Sequence, residues 1–185
     1  MRRQRTAAEA RPGRLRRMPT IAFPLNFSGR AVLFETGNTG FRQLCAAAPE
    51  AIVAPLQSAL ELAAAALSGT LELPSLSFAL IVLTDLTDAP LEIRQRDLLW
   101  RAFRVPVFEQ LRDADGKVIA RECETHNGLH LVPGTAARIE HGTLWIGKRR
   151  THLSATIADE HCECGAETPR LRNLAPLSTA ATAAA

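Results

Sequence analysis

Phe78-Ala-Leu-Ile-Val-Leu83 is a continuous apolar run, typical of a strand that is buried on both faces of a sheet. After a short polar segment, residues 90–103 are predicted to form a helix because their apolar side chains recur at a helical spacing. Val105-Pro-Val-Phe108 is predicted to form a second strand. The order strand, helix, strand predicts a parallel βαβ unit, and therefore an α/β fold.

Upstream of this unit, residues 21–27 and 31–34 are predicted to be short strands. Residues 49–68 have the clearest helical pattern in the chain. Pro49 suits the first turn of a helix, and Gly69 suits its end.

Downstream of the unit, Asp113-Ala-Asp-Gly116 predicts a turn after which residues 117–122 pair with a neighbouring strand. Residues 143–146 and 153–157 are predicted to be later short strands. The α/β part is therefore expected to be followed by a small β-rich region.

The 185 residues, 46% of them hydrophobic, predict one folded domain over residues 19–174. Residues 1–17 contain seven arginines and one acidic residue, so residues 1–18 are predicted to be a disordered basic tail. Residues 175–185 are predicted to be a disordered Ala-rich tail. No apolar run reaches the roughly 18 to 20 residues of a membrane span. The basic start also lacks the apolar stretch of a secretory signal, so we expect a cytoplasmic protein.

Two Cys/His clusters, 39 residues apart from Cys123 to Cys162, carry the chemistry that the sequence indicates. The first is Cys123-Glu-Thr-His126-Asn-Gly-Leu-His130, and the second is His161-Cys162-Glu-Cys164-Gly165. Three thiolates and one imidazole are a typical donor set of a structural zinc site. Cys123, Cys162 and Cys164 are the predicted sulfur ligands. The residues alone leave His126 and His130 as alternatives for the fourth, while His161 is adjacent to Cys162 and less suited to bind with it.

Other candidates are weaker. Glu109 is either a site carboxylate or, as we favour, a polar strand end. Cys45 lies in an apolar segment and is predicted to be a core residue rather than a ligand. Lys148-Arg149-Arg150 could contact a phosphate, but an exposed turn is favoured. We find no hydrolase or metalloprotease motif and no phosphate-binding loop.

From Leu98 onward the chain resembles the phenylacetate–CoA ligase-like branch of the adenylate-forming enzymes. Members have a helix, a Phe-Gly-Val-Pro-Val-like strand and a Tyr-Gly-x-Thr-Glu motif. A Glu-Cys-Glu-x-x-x-Gly-Leu-His-like segment follows, and some members that bind zinc also have Cys-x-Cys-Gly-Arg-x-x-Pro-Arg. The matching segments here are Leu98-Leu-Trp-Arg-Ala-Phe-Arg-Val-Pro-Val-Phe108, Glu122-Cys-Glu-Thr-His-Asn-Gly-Leu-His130 and Cys162-Glu-Cys-Gly-Ala-Glu-Thr-Pro-Arg170.

This resemblance, over residues 98–172, implies a reduced adenylation-like domain followed by a zinc-bound region at residues 117–172. It also implies that the zinc ligands are Cys123, His130, Cys162 and Cys164. The chain departs from the family at Phe108-Glu-Gln-Leu-Arg112, which lacks the Tyr, Gly and Thr of the family motif. The family's phosphate loop, its ribose-binding segment and its C-terminal lysine are not recognisable either.

Because these ATP-binding motifs are missing, we expect a non-catalytic zinc-stabilised domain that acts as a binding or accessory module. Its partner would be a protein of unknown identity, and the sequence does not indicate an oligomeric state or a membrane. One alternative is an enzyme with residual adenylate-forming or acyl-CoA ligase chemistry. Another, less favoured, is a nucleic-acid-associated zinc protein that uses the Arg-rich tail.

Overall fold

The computed structural model describes residues 27–37 and 39–177. The fold is mixed α/β, as predicted. Its elements in chain order are β1 (Ala31–Leu33), α1 (Phe41–Ala47), β2 (Ala51–Pro55), α2 (Leu56–Leu67), β3 (Ala79–Asp85), α3 (Ile93–Phe103), β4 (Val107–Arg112), β5 (Val118–Glu122), β6 (Leu129–Leu131), β7 (Ala137–Glu140), β8 (Thr143–Ile146), β9 (Arg149–Arg150), β10 (Leu153–Ala158) and β11 (Arg170–Pro176).

The two predicted tails fall largely beyond the described residues, as does most of the strand predicted at 21–27. β11 extends to Pro176, two residues into the segment predicted as the C-terminal tail. Within the described part of the chain, no helix has the length and apolar character needed to cross a membrane.

One eight-stranded sheet organises the molecule, in the order β1-β2-β3-β4-β5-β6-β11-β10. The strands from β1 to β4 are parallel, and those from β4 to β10 along the sheet are antiparallel. β3 and β4 pair in parallel, with Ile81 beside Phe108, and α3 connects them. The predicted βαβ unit is therefore confirmed.

The parallel half is stabilised by an apolar core between the sheet and its helices. α1, α2 and α3 contribute Leu44, Leu62 and Leu99, which are fully buried against sheet residues such as Ile52 and Leu80. α2 and α3 also pack against each other. Burial of large aliphatic side chains contributes about 1.5–3 kcal/mol each, so this core alone accounts for much of the stability of the parallel half.

The helix predicted over residues 49–68 is wrong in its first part, because Ala51–Pro55 forms β2. Ile52 packs in the core under the helices, whereas Val53 packs on the opposite face of the sheet. A short apolar run with two β-branched residues suits such a doubly buried strand, and periodicity alone does not distinguish it from a helix. The helix begins at Leu56, and Gly69 follows its last turn in the left-handed conformation (φ +74°), as predicted.

The antiparallel half has a second core, formed by Leu111, Ile119, Leu129 and Leu153 together with Leu144 from a separate three-stranded sheet, β7-β8-β9. The turn predicted at residues 113–116 is confirmed, since the Asp113 Oδ1 atom accepts the amide protons of Asp115 and Lys117. β5 pairs antiparallel with β4, as expected. The strands of the antiparallel half are joined by turns and loops, whereas helices join those of the parallel half.

Candidate metal centre

Two tight turns and one strand present the four predicted ligands. Cys123 follows β5 and begins a turn in which the His126 amide donates to the Cys123 carbonyl at 3.1 Å. Cys162 begins a similar turn between β10 and β11, closed by the Gly165 amide at 2.9 Å. Gly165 has φ +80°, a conformation that glycine adopts without strain. His130 lies in β6, which pairs with β5 and β11.

The structure brings Cys123, His130, Cys162 and Cys164 into one cluster, in which all four donor atoms lie within 4.8 Å of one another. The Cys123 and Cys162 Sγ atoms are 3.8 Å apart. The Cys164 Sγ atom lies 3.4 Å from the Nε2 atom of His130. Cys123, Cys162 and His130 are buried and Cys164 is partly buried. This cluster could hold a metal ion.

Neighbouring groups orient these donors. The His130 Nδ1 atom lies 3.1 Å from the Thr168 carbonyl oxygen and 3.2 Å from the Thr168 hydroxyl. The carbonyl oxygen can only accept, so this contact favours the tautomer with the proton on Nδ1 and the lone pair on Nε2. The Thr125 hydroxyl lies 3.1 Å from the Cys123 sulfur and 3.4 Å from the Cys162 sulfur. Sequence reasoning missed both threonines. The sequence feature that could have identified them is a hydroxyl residue close to a ligand cysteine: Thr125 lies two residues after Cys123, and Thr168 lies four residues after Cys164.

The thiols of the cluster differ in acidity. Burial opposes ionisation of Cys162, but hydrogen bonds from the Thr125 hydroxyl and the Cys164 backbone lower the pKa of Cys162 to about 6. Burial, followed by the neighbouring Cys162 and Cys123 thiols, raises the pKa of Cys164 to about 11. Cys162 is therefore the more acidic thiol of this pair. A bound cation supplies the positive charge that allows several thiolates to coexist.

His126, the alternative ligand, lies outside the cluster. Its side chain is 41% exposed, and its Nδ1 atom is 3.1 Å from the Glu122 Oε1 atom. The ring stacks on Phe108 with centroids 5.0 Å apart. His161 is exposed and is not part of the cluster either.

The prediction that Cys45 belongs to the core is wrong, because this thiol is exposed. α1 is only seven residues long and turns Leu44 into the core, so the adjacent side chain faces outward. The Cys45 sulfur lies 3.6 Å from the carbonyl oxygen of Glu72. The expectation that Cys45 is not part of the Cys/His cluster agrees with this position.

Glu109 lies within β4 and is buried rather than exposed at a strand end. Its Oε1 atom accepts hydrogen bonds from the Thr84 hydroxyl at 2.8 Å and from the Leu91 amide at 3.1 Å. Burial raises the pKa of this carboxyl above its ordinary value, although both hydrogen bonds oppose the shift. Glu109 thus joins β4 to the segment that leads into α3.

A cavity of about 590 Å³ lies at the carboxyl ends of β3 and β4. Lys117 and the Lys148-Arg149-Arg150 segment line it, together with Asp85 and Asp113. At its edge Asp85 makes two hydrogen bonds of 2.9 Å with the Arg112 guanidinium. Ligands of open α/β sheets commonly bind at this edge of the sheet.

Neither a protein-family model nor a curated protein matches the chain. Solved structures do match. A 2-hydroxyisobutyryl-CoA ligase in an open conformation with 2-HIB-AMP and CoA aligns with a TM-score of 0.57 and 15% identity, over 71% of this chain and 34% of the ligase. The same ligase in the postadenylation state with R3-HIB-AMP gives 0.56 and 16%, over 71% and 33%.

The chain therefore spans about a third of the ligase structures that it matches. At this identity the matches show the fold alone: the chain folds like about a third of this CoA ligase. They do not single out the phenylacetate–CoA ligase branch.

Proposed function

We propose that this chain is a zinc-stabilised, non-catalytic relative of the phenylacetate–CoA ligase-like adenylation domains, acting as a binding or accessory module. The observation that carries the proposal is the Cys123/His130/Cys162/Cys164 cluster. Zinc–sulfur and zinc–nitrogen bonds of about 2.3 and 2.0–2.1 Å predict tetrahedron edges of about 3.8 Å between sulfurs and about 3.5 Å from sulfur to nitrogen. The 3.8 Å and 3.4 Å separations agree with these values.

A structural role fits the composition of the cluster. Four protein ligands occupy all four coordination positions of a tetrahedral zinc ion and leave none for a reacting water molecule. The ligands come from the turn after β5, from β6 and from the loop between β10 and β11, so bound zinc would join segments that are distant in sequence. Zinc bound in this way contributes its binding free energy to folding.

The non-catalytic part of the proposal rests on β4, where the family has its Tyr-Gly-x-Thr-Glu motif. Glu109 is engaged with Thr84 and Leu91, and Leu111 is part of the apolar core of the antiparallel half. Arg112 is paired with Asp85. These side chains stabilise the fold. Their structural contacts support a domain in which the positions of the family's catalytic motif now serve packing and ion pairing.

The first experiment is elemental mass spectrometry of protein purified without added metal, beside a Cys162→Ser/Cys164→Ser variant. We expect about one zinc per chain, lost in the variant. Cys45→Ser is the matched control, because this exposed thiol lies outside the cluster, and it should keep the zinc. Well-folded protein without zinc would contradict the proposal.

A residual adenylate-forming activity is the second candidate, and the cavity at the ends of β3 and β4 is the observation that favours it. Its lysine and arginine side chains could face the phosphates of a nucleotide. Calorimetric titration with ATP and Mg²⁺ separates the candidates. Binding heat that is reduced in both Lys117→Ala and Arg149→Ala would favour an enzyme. No binding heat, together with a melting temperature that ATP leaves unchanged, would favour the accessory module.

A further inference from the structure

Arg170 is a buried arginine that contacts every segment carrying a ligand of the Cys/His cluster. It is the first residue of β11, where its backbone pairs with that of His130 in β6. Its Nη1 atom donates to the Asn127 carbonyl oxygen at 3.1 Å, in the loop that leads to His130. Its Nη2 atom donates to the Glu160 carbonyl oxygen at 3.3 Å, two residues before Cys162. One side chain therefore joins loops that lie 43 and 10 residues away from it in sequence.

Arg172 adds a second, more exposed set of contacts between the same two loops. Its Nε and Nη2 atoms donate to the Asn127 Oδ1 atom at 3.0 and 2.6 Å. The Glu160 Oε2 atom lies 3.2 Å from Arg170 and 3.4 Å from Arg172, so both guanidinium groups share one carboxylate. We call these four residues the arginine clamp: Asn127, Glu160, Arg170 and Arg172. The clamp joins the two cysteine-bearing loops without using any side chain of the cluster.

Burial decides which contact of the clamp matters most. The Arg170 side chain is 3% exposed, whereas that of Glu160 is 68% exposed. An ion pair with an exposed partner contributes little, but a buried guanidinium stays charged and requires hydrogen-bond acceptors. The Arg170 Nε atom has no hydrogen-bond partner among the described residues, so its Nη1 and Nη2 contacts compensate the burial. The carbonyl oxygens of Asn127 and Glu160 are therefore held in place, and with them the backbone of both loops.

We propose that Arg170 is a positioning residue for the metal, which holds the two cysteine-bearing loops at the spacing of the cluster independently of the ion. This role rests on the proposed zinc site and adds a residue that controls it. Loops that are ordered in advance lose less conformational entropy when an ion binds. Arg170 therefore raises the metal affinity of the cluster, although none of its atoms binds the ion.

The test measures zinc affinity of the full chain by competition with a chromogenic chelator. Arg170→Lys keeps the positive charge but removes the planar fork that reaches two carbonyl oxygens. We expect it to weaken zinc binding by about tenfold to a hundredfold, as for other groups that orient metal ligands. Cobalt(II) titration of the metal-free protein, followed through thiolate-to-cobalt absorption, should show the same loss.

Asn127→Ala is the milder variant. It removes the side-chain acceptor of Arg172 but keeps the carbonyl oxygen that Arg170 uses, so its loss of zinc affinity should be smaller. If Arg170→Lys does not fold, Asn127→Ala decides, and an affinity equal to that of the parent would overturn the clamp.

Leu144→Ala is the matched control for a protein that is merely less stable. Leu144 is fully buried in the core of the same half of the molecule but belongs to the separate three-stranded sheet. Its melting temperature should fall, while the zinc affinity of the folded protein should stay close to that of the parent. Parent-like zinc affinity in Arg170→Lys would overturn the positioning role. An equal loss of affinity in Leu144→Ala and Arg170→Lys would overturn it too.

Hydrogen exchange of the metal-free proteins distinguishes this role from the zinc proposal. Without metal, residues 123–128 and 159–165 should be better protected in the parent than in Arg170→Lys. A parent that is purified without zinc but shows this difference would remove the zinc proposal and retain the clamp. Zinc in the parent, with equal exchange in the two metal-free proteins, would remove the clamp alone.

Discussion

The parallel half of the sheet, residues 31–112, and the antiparallel half, residues 113–177, are stabilised in different ways. The first buries large aliphatic side chains of β1 to β4 under three helices. The second has a smaller core, and its loops converge on the Cys/His cluster. If the cluster holds zinc, as proposed, one continuous sheet depends on hydrophobic burial at one end and on a bound metal at the other.

Removing the cluster should have the largest effect, and it should destabilise the antiparallel half far more than the parallel half. Cys162→Ser/Cys164→Ser is expected to lower the free energy of unfolding by about 5 kcal/mol or more, because the zinc binding energy is lost and polar groups remain buried. Hydrogen exchange by mass spectrometry should show faster exchange at residues 129–131 and 170–176, while residues 79–85 stay protected.

The Cys45→Ser protein is the control for a thiol replacement outside the cluster, and its exchange should match that of the parent. Uniform loss of protection in both halves of the double variant would contradict separate means of stabilisation. So would unchanged protection at β6 and β11.

Leu99→Ala tests the other half. Leu99 is fully buried where α3 meets the core, so the cavity left behind should cost about 2–5 kcal/mol. The cost should be the same with and without a zinc chelator, since Leu99 contributes to the core of the parallel half and not to the cluster. Urea unfolding measures it. Leu67→Ala, at a half-exposed position of α2, should cost less than about 1 kcal/mol.

The parallel half was only partly predictable from the sequence. Residues 78–83 were predictable as a strand because a doubly buried strand is continuously apolar, and the helix after it because its apolar spacing is regular. β2 is mistaken for the start of α2 because Ile52, Val53 and Leu56 follow a helical spacing, while the continuous apolar run Ala51–Pro55 also suits a strand buried on both faces. Val53 is buried on the face of the sheet opposite to Ile52, which distinguishes a strand from a helix. This burial exists only in the assembled sheet and cannot be read from the local sequence.

The cluster was predictable as a composition, since three thiols and an imidazole are a typical donor set of a structural zinc site. Distances between the ligands were not, because they depend on how β5, β6 and β11 pair. The same pairing places His130 in the cluster and turns His126 toward Glu122. Local spacing from Cys123 could not distinguish these two histidines.

Gly128→Ala tests the close contact between β11 and the junction of the Cys123 turn with β6. Gly128 has φ +93°, and an added Cβ would lie 2.6 Å from the Leu171 carbonyl oxygen of β11. Strain and displacement of β11 should cost about 1–3 kcal/mol. Gly142→Ala is the control, with a similar φ of +75° but nothing within 4 Å of its added Cβ. The difference in melting temperature between the two variants isolates the contact with β11, and equal values would contradict it.

Glu109→Gln should give the smallest effect, and its sign depends on pH. Because burial raises the pKa of Glu109 in the folded protein, its protonated form stabilises the fold at pH values below the ordinary carboxyl pKa, near 4. That contribution is lost as the pH rises through the raised pKa of the folded state.

Glutamine is always neutral, and its carbonyl oxygen can accept the same bonds from Thr84 and Leu91. The variant should therefore melt higher than the parent at pH 7 and lose this advantage near pH 4. Thermal melts from pH 4 to 8 measure the difference, and Glu72→Gln, an exposed carboxyl, is the control. A lower melting temperature of Glu109→Gln at pH 7 would mean that the ionised carboxylate binds Thr84 and Leu91 strongly enough to outweigh its burial. In that case β4 would depend on a charged group for its stability.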